Sequence, residues 1–191
     1  MATQDSRIKL KRSTVNSTVP TVPSSNDHTD GTWIATDIYK GELFYNQADG
    51  VMWTRGDSGI ECIQGTAKLT IATADVLHLN TTPIEIVAAP GAGYAIEVIS
   101  ASMKMVYNSA TYATNTSLEL ITAGATNSQA STVIKNSAST IRRFADATTL
   151  ASATATQLVE NAALNVTVAS GDPTAGDSDI TVYVTYRIIT L

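Results

Sequence analysis

The chain is poor in the residue types from which most catalytic and metal-binding sites are built. Its 191 residues include one cysteine, Cys62, and two histidines, His28 and His78, which lie in unrelated surroundings. A single cysteine excludes an internal disulfide, and such scattered ligands exclude a transition-metal cluster. Cys62 lies in a β-prone run, where we expect a small buried side chain rather than a catalytic thiol. No nucleophile–base pair or carboxylate pair stands out, so we predict neither an enzyme nor a cofactor.

Charged residues are scarce as well, at 15% of the chain, and the net charge of −5 argues against general nucleic-acid binding. No apolar run approaches the length of a membrane span. Residues 1–6 are polar and lead into no apolar segment, so we expect no signal peptide and no membrane partner. Few surface charges are natural in an obligate oligomer, whose faces touch protein rather than water.

Threonine is the commonest residue, alanine follows closely, and the hydrophobic content is 43%. Threonine and valine favour pleated surfaces, so the composition predicts an all-β fold with a core of small side chains. Residues 180–191 show the clearest strand pattern, because Val182, Val184 and Tyr186 alternate with polar residues. We place this last strand at the centre of a closed sandwich. Further strands are predicted at residues 60–63, 68–72, 76–79, 83–89, 94–107, 118–122 and 163–169.

Changes of pattern along the chain predict three segments. Residues 1–36 form an extended N-terminal arm, residues 37–80 a β-hairpin module, and residues 81–191 a β-sandwich body. Between residues 124 and 163 we predict long loops with short strands inside, a threonine-rich helix over residues 139–147 being the weaker alternative. Glu97 interrupts the apolar side of residues 94–107, which predicts a β-bulge near it.

The arm begins with a basic, strand-like run inside an acidic chain. Its cations alternate with apolar residues, which gives the strand one basic side and one apolar side. Such a strand is suited to lie along another surface by strand addition, with its cations facing acidic neighbours. The alternative is a terminus without a docking role. The predicted attachment residues are Arg7, Ile8, Lys9, Leu10, Lys11 and Arg12.

The second segment contains a strong hairpin signal. Residues 43–45 (LFY) and 51–53 (VMW) are short apolar runs on either side of a loop that ends in Asp49-Gly50. The turn needs a positive φ, which Gly50 adopts without a Cβ clash, and the loop length favours a bulge-containing hairpin. A hairpin of this size cannot bury its aromatic side chains alone, so it must pack on a partner surface.

This hairpin and the run before it resemble the N-terminal region of many bacteriophage tail-fibre and head-fibre proteins. The resemblance rests on a GELxxNxxDG hairpin, preceded by a basic strand (IKLKRS, residues 8–13) and the pair Val19-Pro20, and it covers about the first third of the chain. Residues 23–36 are a longer polar insertion than this family shows. The hairpin residues that we single out are Gly41, Glu42, Leu43, Asn46, Asp49, Gly50 and Trp53.

The resemblance implies a phage virion structural protein that is homotrimeric, is assembled in the host cytoplasm and has other virion proteins as partners. A strand-rich body after a hairpin module also resembles virion proteins with a jelly-roll-like domain. Because there is one modest body and no shaft repeat, a capsid decoration or head-fibre protein is our first expectation. The alternatives are a tail-fibre or receptor-binding protein, and a carbohydrate-binding β-sandwich module that would stack a host surface glycan on Trp33, Tyr107 and Tyr112.

Three short motifs have simpler structural explanations. Arg55-Gly56-Asp57 spells an adhesion tripeptide but falls in a turn, where glycine and aspartate are expected. The glycine-rich residues 90–93 lack the Lys-Ser/Thr of a phosphate loop and lead into a strand. Asp172, Asp177 and Asp179 could together hold Ca²⁺, yet their spacing matches no EF-hand, so we favour a solvated turn.

Overall fold

The computed structural model describes residues 10–25, 29–57, 59–130, 133–146 and 158–191. It confirms the predicted all-β fold. The chain forms two compact units, residues 1–65 and residues 66–191, whereas the sequence pattern placed the start of the body at residue 81. The boundary lies earlier because residues 66–80 contribute the buried side chains of Ile71, Val76 and Leu79 to the second unit.

The first unit is built on a small β-sheet. β1 (Lys11–Ser13) pairs in parallel with β2 (Leu43–Asn46), which forms an antiparallel hairpin with β3 (Val51–Arg55). β3 then pairs with the start of β4 (Ile60–Ile71), a strand that ends in the second unit. The predicted hairpin is therefore confirmed, but its predicted bulge is not, because β2 and β3 pair across residues 47–50 without a register shift. Within the predicted arm, β1 forms a strand beside the hairpin.

The hairpin buries one of its two faces. Phe44, Val51 and Trp53 are between 1% and 3% exposed, and Ile38, from the segment before the hairpin, is buried as well. Phe44 and Trp53 are paired across the strands, so their rings project to the same side. Aromatic side chains bury the largest apolar areas per residue, and this face therefore holds the unit together.

The second unit contains the remaining strands and two short helical turns in its described part. α1 (Thr73–Val76) follows β4, and a 3-10 turn spans Val133–Lys135. The strands are β5 (Ile84–Val87), β6 (Tyr94–Met105), β7 (Leu118–Thr122), β8 (Ala125–Ala130), β9 (Thr140–Arg143), β10 (Ala145–Asp146), β11 (Leu164–Val168) and β12 (Ile180–Thr190).

These strands form two sheets. In one sheet the end of β4, then β12, β6 and β9 follow one another in that order, and β6 is antiparallel to both of its neighbours. In the other the order is β10-β8-β7-β11-β5, again with antiparallel pairing. β12 lies between β4 and β6, which confirms that the last strand is central.

Both sheets bury one face, as the two halves of a β-sandwich do. The side chains of Ile180, Val182, Val184 and Tyr186 on β12 are at most 3% exposed, which confirms the predicted alternation. The other sheet contributes the buried side chains of Val87, Leu118, Leu120, Leu164, Val166 and Val168.

The predicted bulge near Glu97 is confirmed, although it moves one core residue to the surface. Thr185 pairs with Ser100 but Tyr186 pairs with Val98, so the register shifts and leaves Ile99 without a partner. Ile99 is 55% exposed, whereas the uninterrupted alternation placed it in the core. An extra residue reverses the side on which the following side chains lie, and Ile99 is that residue.

Two other local predictions are wrong. Residues 76–79 do not form a strand, because α1 and the turn after it occupy this stretch, and His78 is exposed there. The N-terminal amide of α1, on Thr73, donates a 3.0 Å hydrogen bond to Asp179, a distant residue that no local pattern reveals. The weak helix over residues 139–147 is absent as well, since β9 and β10 pair with β6 and β8.

Candidate functional site

Lys11 connects the basic strand to the rest of the first unit. Its ammonium lies 3.1 Å from Glu42 Oε2 and donates a 2.6 Å hydrogen bond to the carbonyl of Asp37. It also lies 5.5 Å from the centre of the Tyr39 ring, within the range of a cation–π contact. One of the four cations predicted to dock on a partner is thus engaged within its own chain.

The residues on either side of Lys11, Arg12 in β1 and Leu10 directly before it, face outward. Arg12 is exposed and Leu10 is 41% exposed. These two residues share one side of the strand because they are two positions apart, while Lys11 lies on the other side. The open side of β1 therefore combines an apolar and a basic residue. Arg7, Ile8 and Lys9 lie outside the described residues.

Asn46 is the centre of a hydrogen-bond network that joins the hairpin turn to the loop after β1. Its side chain is 1% exposed, and Nδ2 lies 3.1 Å from the Val15 carbonyl and 3.2 Å from that of Thr18. Nδ2 also lies 2.5 Å from the Asp49 carboxylate, and Oδ1 accepts the N–H of Ala48 at 3.0 Å. Both ends of the amide are satisfied, as burial of a polar group requires.

The other polar residues of the hairpin motif stabilise the module in the same way. Asp49 accepts the N–H of Ser17 at 2.6 Å, and Glu42 accepts that of Tyr39 at 2.8 Å. Gly50 has a φ of 67°, in the left-handed region that glycine adopts without strain. These residues of the hairpin motif are therefore explained by the local fold that they stabilise.

The remaining hairpin candidates divide between structure and surface. Gly41 donates its N–H to the Arg55 carbonyl at 3.0 Å, beside the end of β3. Trp53 is 2% exposed, and its indole nitrogen has no hydrogen-bond partner within the described residues. Leu43 is 36% exposed on the opposite face of the hairpin. Leu43 is thus the apolar member of the set that a partner protein could reach.

An exposed apolar pair lies in the polar insertion before the hairpin. Trp33 is 51% exposed and Ile34 is 56% exposed. Asp37 holds the backbone there, since its carboxylate lies 2.5 Å from the Thr21 hydroxyl and accepts the N–H of Ile34 at 2.9 Å. The Thr21 hydroxyl, followed by the Ile34 amide, lowers the pKa of Asp37 below its usual value. The sequence indicates Trp33 alone, as an aromatic residue in a polar stretch, and gives no indication that Ile34 is exposed beside it.

In the second unit, the acidic loop between β11 and β12 is open to solvent, as predicted, and its carboxylates are also hydrogen-bonded to neighbouring segments. Asp172 accepts the N–H groups of Asn80 and Thr81 at 2.8 Å and 2.9 Å. The Thr81 hydroxyl and amide lower the pKa of Asp172. Asp179 accepts the amide of Thr73, as described above. These carboxylates satisfy backbone donors that would otherwise lack partners at the ends of short elements.

Asp177 makes the densest set of contacts in this loop. It accepts the N–H groups of Ser109 and Ala110 at 3.0 Å and 2.9 Å, and the Ser109 hydroxyl also donates to it. The Ser109 hydroxyl, followed by the two amides, lowers the pKa of Asp177 to about 2. The loop after β6 is thereby tied to the loop before β12.

The same loop covers one of the aromatic residues proposed to stack a sugar. Tyr112 is 1% exposed and donates its hydroxyl to the Ser178 carbonyl at 2.6 Å. Burial raises the pKa of Tyr112. Gly176 lies so close to the ring that an added Cβ would sit 2.3 Å from it. Tyr112 is therefore a core residue and offers no open ring to a ligand.

The remaining candidates have contacts within the chain or ordinary surface positions. Arg55 donates to the Ile38 carbonyl at 3.2 Å, and Asp57 lies 2.6 Å from the Lys40 ammonium, so the ends of the adhesion-like tripeptide are engaged. Cys62 is half-buried, and His28 lies outside the described residues. In the described ranges, no cluster of histidine, cysteine, aspartate or glutamate is arranged to hold a metal ion.

No helix in the part of the chain that the structure describes is long and apolar enough to span a membrane. Comparison of the chain with protein-family models, with curated proteins and with solved structures found no match in any of the three.

Proposed function

We propose that the chain is a non-enzymatic structural protein of a bacteriophage virion, either a capsid decoration or a head-fibre protein. The observation that carries the proposal is the strand order of the second unit. Leaving out the two-residue β10, its eight strands pair first with last (β4 and β12), second with seventh (β5 and β11), third with sixth (β6 and β9), and fourth with fifth (β7 and β8). A long hairpin rolled up into two sheets produces this nested pairing. The order therefore supports a jelly roll, the fold of many viral capsid domains and lectins.

The first unit is proposed to attach the protein to the particle. Its motif residues maintain the hairpin, and a partner could reach the exposed Leu10, Arg12 and Leu43 along β1 and β2. The exposed pair of Trp33 and Ile34 lies in the polar insertion before the hairpin. A sheet edge with an apolar and a basic side chain fits strand addition to an acidic neighbour. Attachment through β1 agrees with the position of the basic strand in the proteins that the sequence resembles.

A homotrimer is proposed from the surface of the second unit. Ile99, Val106 and Ile141 are 55%, 53% and 70% exposed, and the chain has few charges to keep such surfaces apart. A contact between subunits would cover such side chains, and the number of three subunits is proposed from the resemblance to phage fibre proteins. A tail-fibre role is the alternative within the same class.

The attachment proposal is tested by incorporation into virions of the phage that encodes the chain. Arg12→Ser removes an exposed cation, so the protein should fold normally while its copy number on purified particles falls several-fold and depends less on salt. Lys11→Ser is the matched control on the other side of β1. It breaks the contact with Glu42 and should destabilise the first unit by about 1 kcal/mol or less.

Unfolding of the first unit in both variants is measured by tryptophan emission, because Trp33 and Trp53 lie in this unit and the chain has no other tryptophan. Particles are then analysed by quantitative mass spectrometry. Undiminished incorporation of Arg12→Ser would refute attachment through β1 and would leave Leu43 as the next candidate contact. Absence of the wild-type chain from purified particles would refute the virion role itself.

A further inference from the structure

The sheet formed by β12, β6 and β9 carries an open depression of about 90 Å³ on the face that does not enter the core. Tyr183 pairs with Ser102, and Ser102 pairs with Arg143, so these three side chains form one row across three strands. Paired side chains project to the same face, with Cβ atoms about 5 Å apart. The depression exists because the short Ser102 lies between two long side chains. Its lining residues are Ser100, Ala101, Ser102, Arg143, Tyr183 and Thr185.

The lining combines three kinds of recognition group. Ser100 and Thr185, which pair in the next row, add two hydroxyl groups to that of Ser102, and each can donate and accept hydrogen bonds. Tyr183 is 40% exposed and offers an aromatic face. Arg143 is exposed and presents a planar fork of donors that matches an acidic group. Hydroxyl groups beside an aromatic ring suit a saccharide, and the guanidinium suits an anion.

The charged side chain in the lining is a cation and two lysines lie near it, while Glu97, in the row beyond Ser100 and Thr185, is paired with Arg187. The Lys68 ammonium lies 5.8 Å from the centre of the Tyr183 ring, and Lys104 is exposed in the row on the other side of Ser102. No aspartate or glutamate lines the depression, and the ion pairs found among the described residues use other cations. In a chain with a net charge of −5, this local excess of positive charge favours an anionic ligand.

We propose that this depression binds the acid group of an acidic saccharide, with Arg143 on the acid group and Tyr183 against the sugar ring. The depression is open to solvent and has a volume of about 90 Å³. That space accepts a carboxylate or a sulfate, but a pyranose ring must remain on the surface above it. The site includes none of the residues first considered for sugar stacking, and it does not depend on the virion role.

Titration of the full-length protein with oligogalacturonate tests the proposal, with the fully methyl-esterified oligosaccharide as the neutral control. The acid form should bind at least about tenfold more tightly than the ester, the loss expected for a hydrogen bond to a charged group. A parallel titration with sulfated and unsulfated dextran oligosaccharides distinguishes the two acid groups. Binding of the sulfated probe alone would assign the site to sulfate, whereas failure of both acidic probes to bind would overturn the proposal.

Two arginines that are adjacent on β9 supply a matched pair of variants. Arg142 pairs with the buried Met103 and is exposed on the other side of the strand from Arg143. Arg143→Gln should weaken binding of the acidic probe about tenfold, while Arg142→Gln, with the same change of charge, should leave affinity within about twofold. Ser102→Tyr should fill the depression and abolish binding without lowering the melting temperature. Equal losses in the two arginine variants would show general charge attraction and refute a built site.

Discussion

Asn46 shows how one buried polar side chain can determine the shape of a small unit. The site needs a donor toward the carbonyls of Val15 and Thr18 and an acceptor for the N–H of Ala48. The amide of asparagine offers two N–H donors and an acceptor on one short side chain, whereas a hydroxyl offers a single donor. The hydrogen bonds join segments on both sides of the polar insertion, so Asn46 connects β1 to the hairpin.

We expect Asn46→Asp to destabilise the first unit by about 2 kcal/mol or more, because the donor is lost and a second carboxylate is placed beside Asp49. Gln47→Glu is the matched control, since it makes the same chemical change at the next, exposed position. Its effect should lie within about 0.5 kcal/mol. Urea denaturation followed by tryptophan emission measures both. Equal effects would show that the network around Asn46 contributes nothing to stability.

At the scale of an element, the loop between β11 and β12 holds other connecting segments of the second unit together. Asp172, Asp177 and Asp179 each accept backbone N–H groups from another connection, namely those after α1, after β6 and at the start of α1. The hydrogen bonds lower the pKa of Asp172 and of Asp177, so these two carboxylates stay ionised at lower pH in the folded state than in the unfolded chain. The stability of the second unit should therefore decrease as the pH falls into the range where these carboxylates are protonated.

The sign of that dependence follows from Asp177. Its pKa is lowered from 3.8 to about 2 on folding, so its contribution is complete above pH of about 4 and is lost as the pH falls toward 2. Asp177→Asn should melt at a lower temperature than the parent at neutral pH. Its melting temperature should fall less on acidification, so that the two proteins converge near pH 2.

Thermal melts by far-ultraviolet circular dichroism at a series of pH values measure this convergence, and tryptophan emission shows whether the first unit has changed. Parallel curves for parent and variant across the whole range would mean that Asp177 does not hold the loop through its charge.

At the scale of the whole molecule, most pairing partners are far apart in the sequence. β4 lies beside β12, and β5 beside β11, so the second unit closes only when its first and last strands meet. Long-range pairing of this kind folds slowly and exposes strand edges and apolar faces on the way. Association of folded chains would cover the apolar side chains that remain exposed.

Native mass spectrometry at micromolar concentration should therefore detect a complex of three times the 20.1 kDa chain mass. Dilution should separate the trimer into monomers without an intermediate mass if the three contacts are equivalent. A stable monomer at micromolar concentration would rule out the obligate trimer, while leaving the fold of each chain as described.

Much of the local structure followed from the sequence alone. β2, β3, β7, β11 and β12 lie within about a residue or two of their predicted positions, because alternation and turn chemistry are properties of neighbouring residues. The central position of β12 followed from its uninterrupted alternation. The hairpin from Gly41 to Gly50 was recognisable because its turn chemistry lies within a few residues, whereas the hydrogen bonds of Asn46 and Asp49 with residues 15–18 were not.

Only the tertiary structure decided which distant residues meet. Nothing near Lys11 in the sequence indicates that its ammonium contacts Glu42, and nothing near Thr73 indicates that its amide is bound by Asp179 at the start of α1. The row formed by Tyr183, Ser102 and Arg143 depends on the register of three strands, which a shift of one residue would have destroyed. Local patterns determine which face of a strand is apolar, whereas partners and sites arise from contacts between residues that are far apart in the chain.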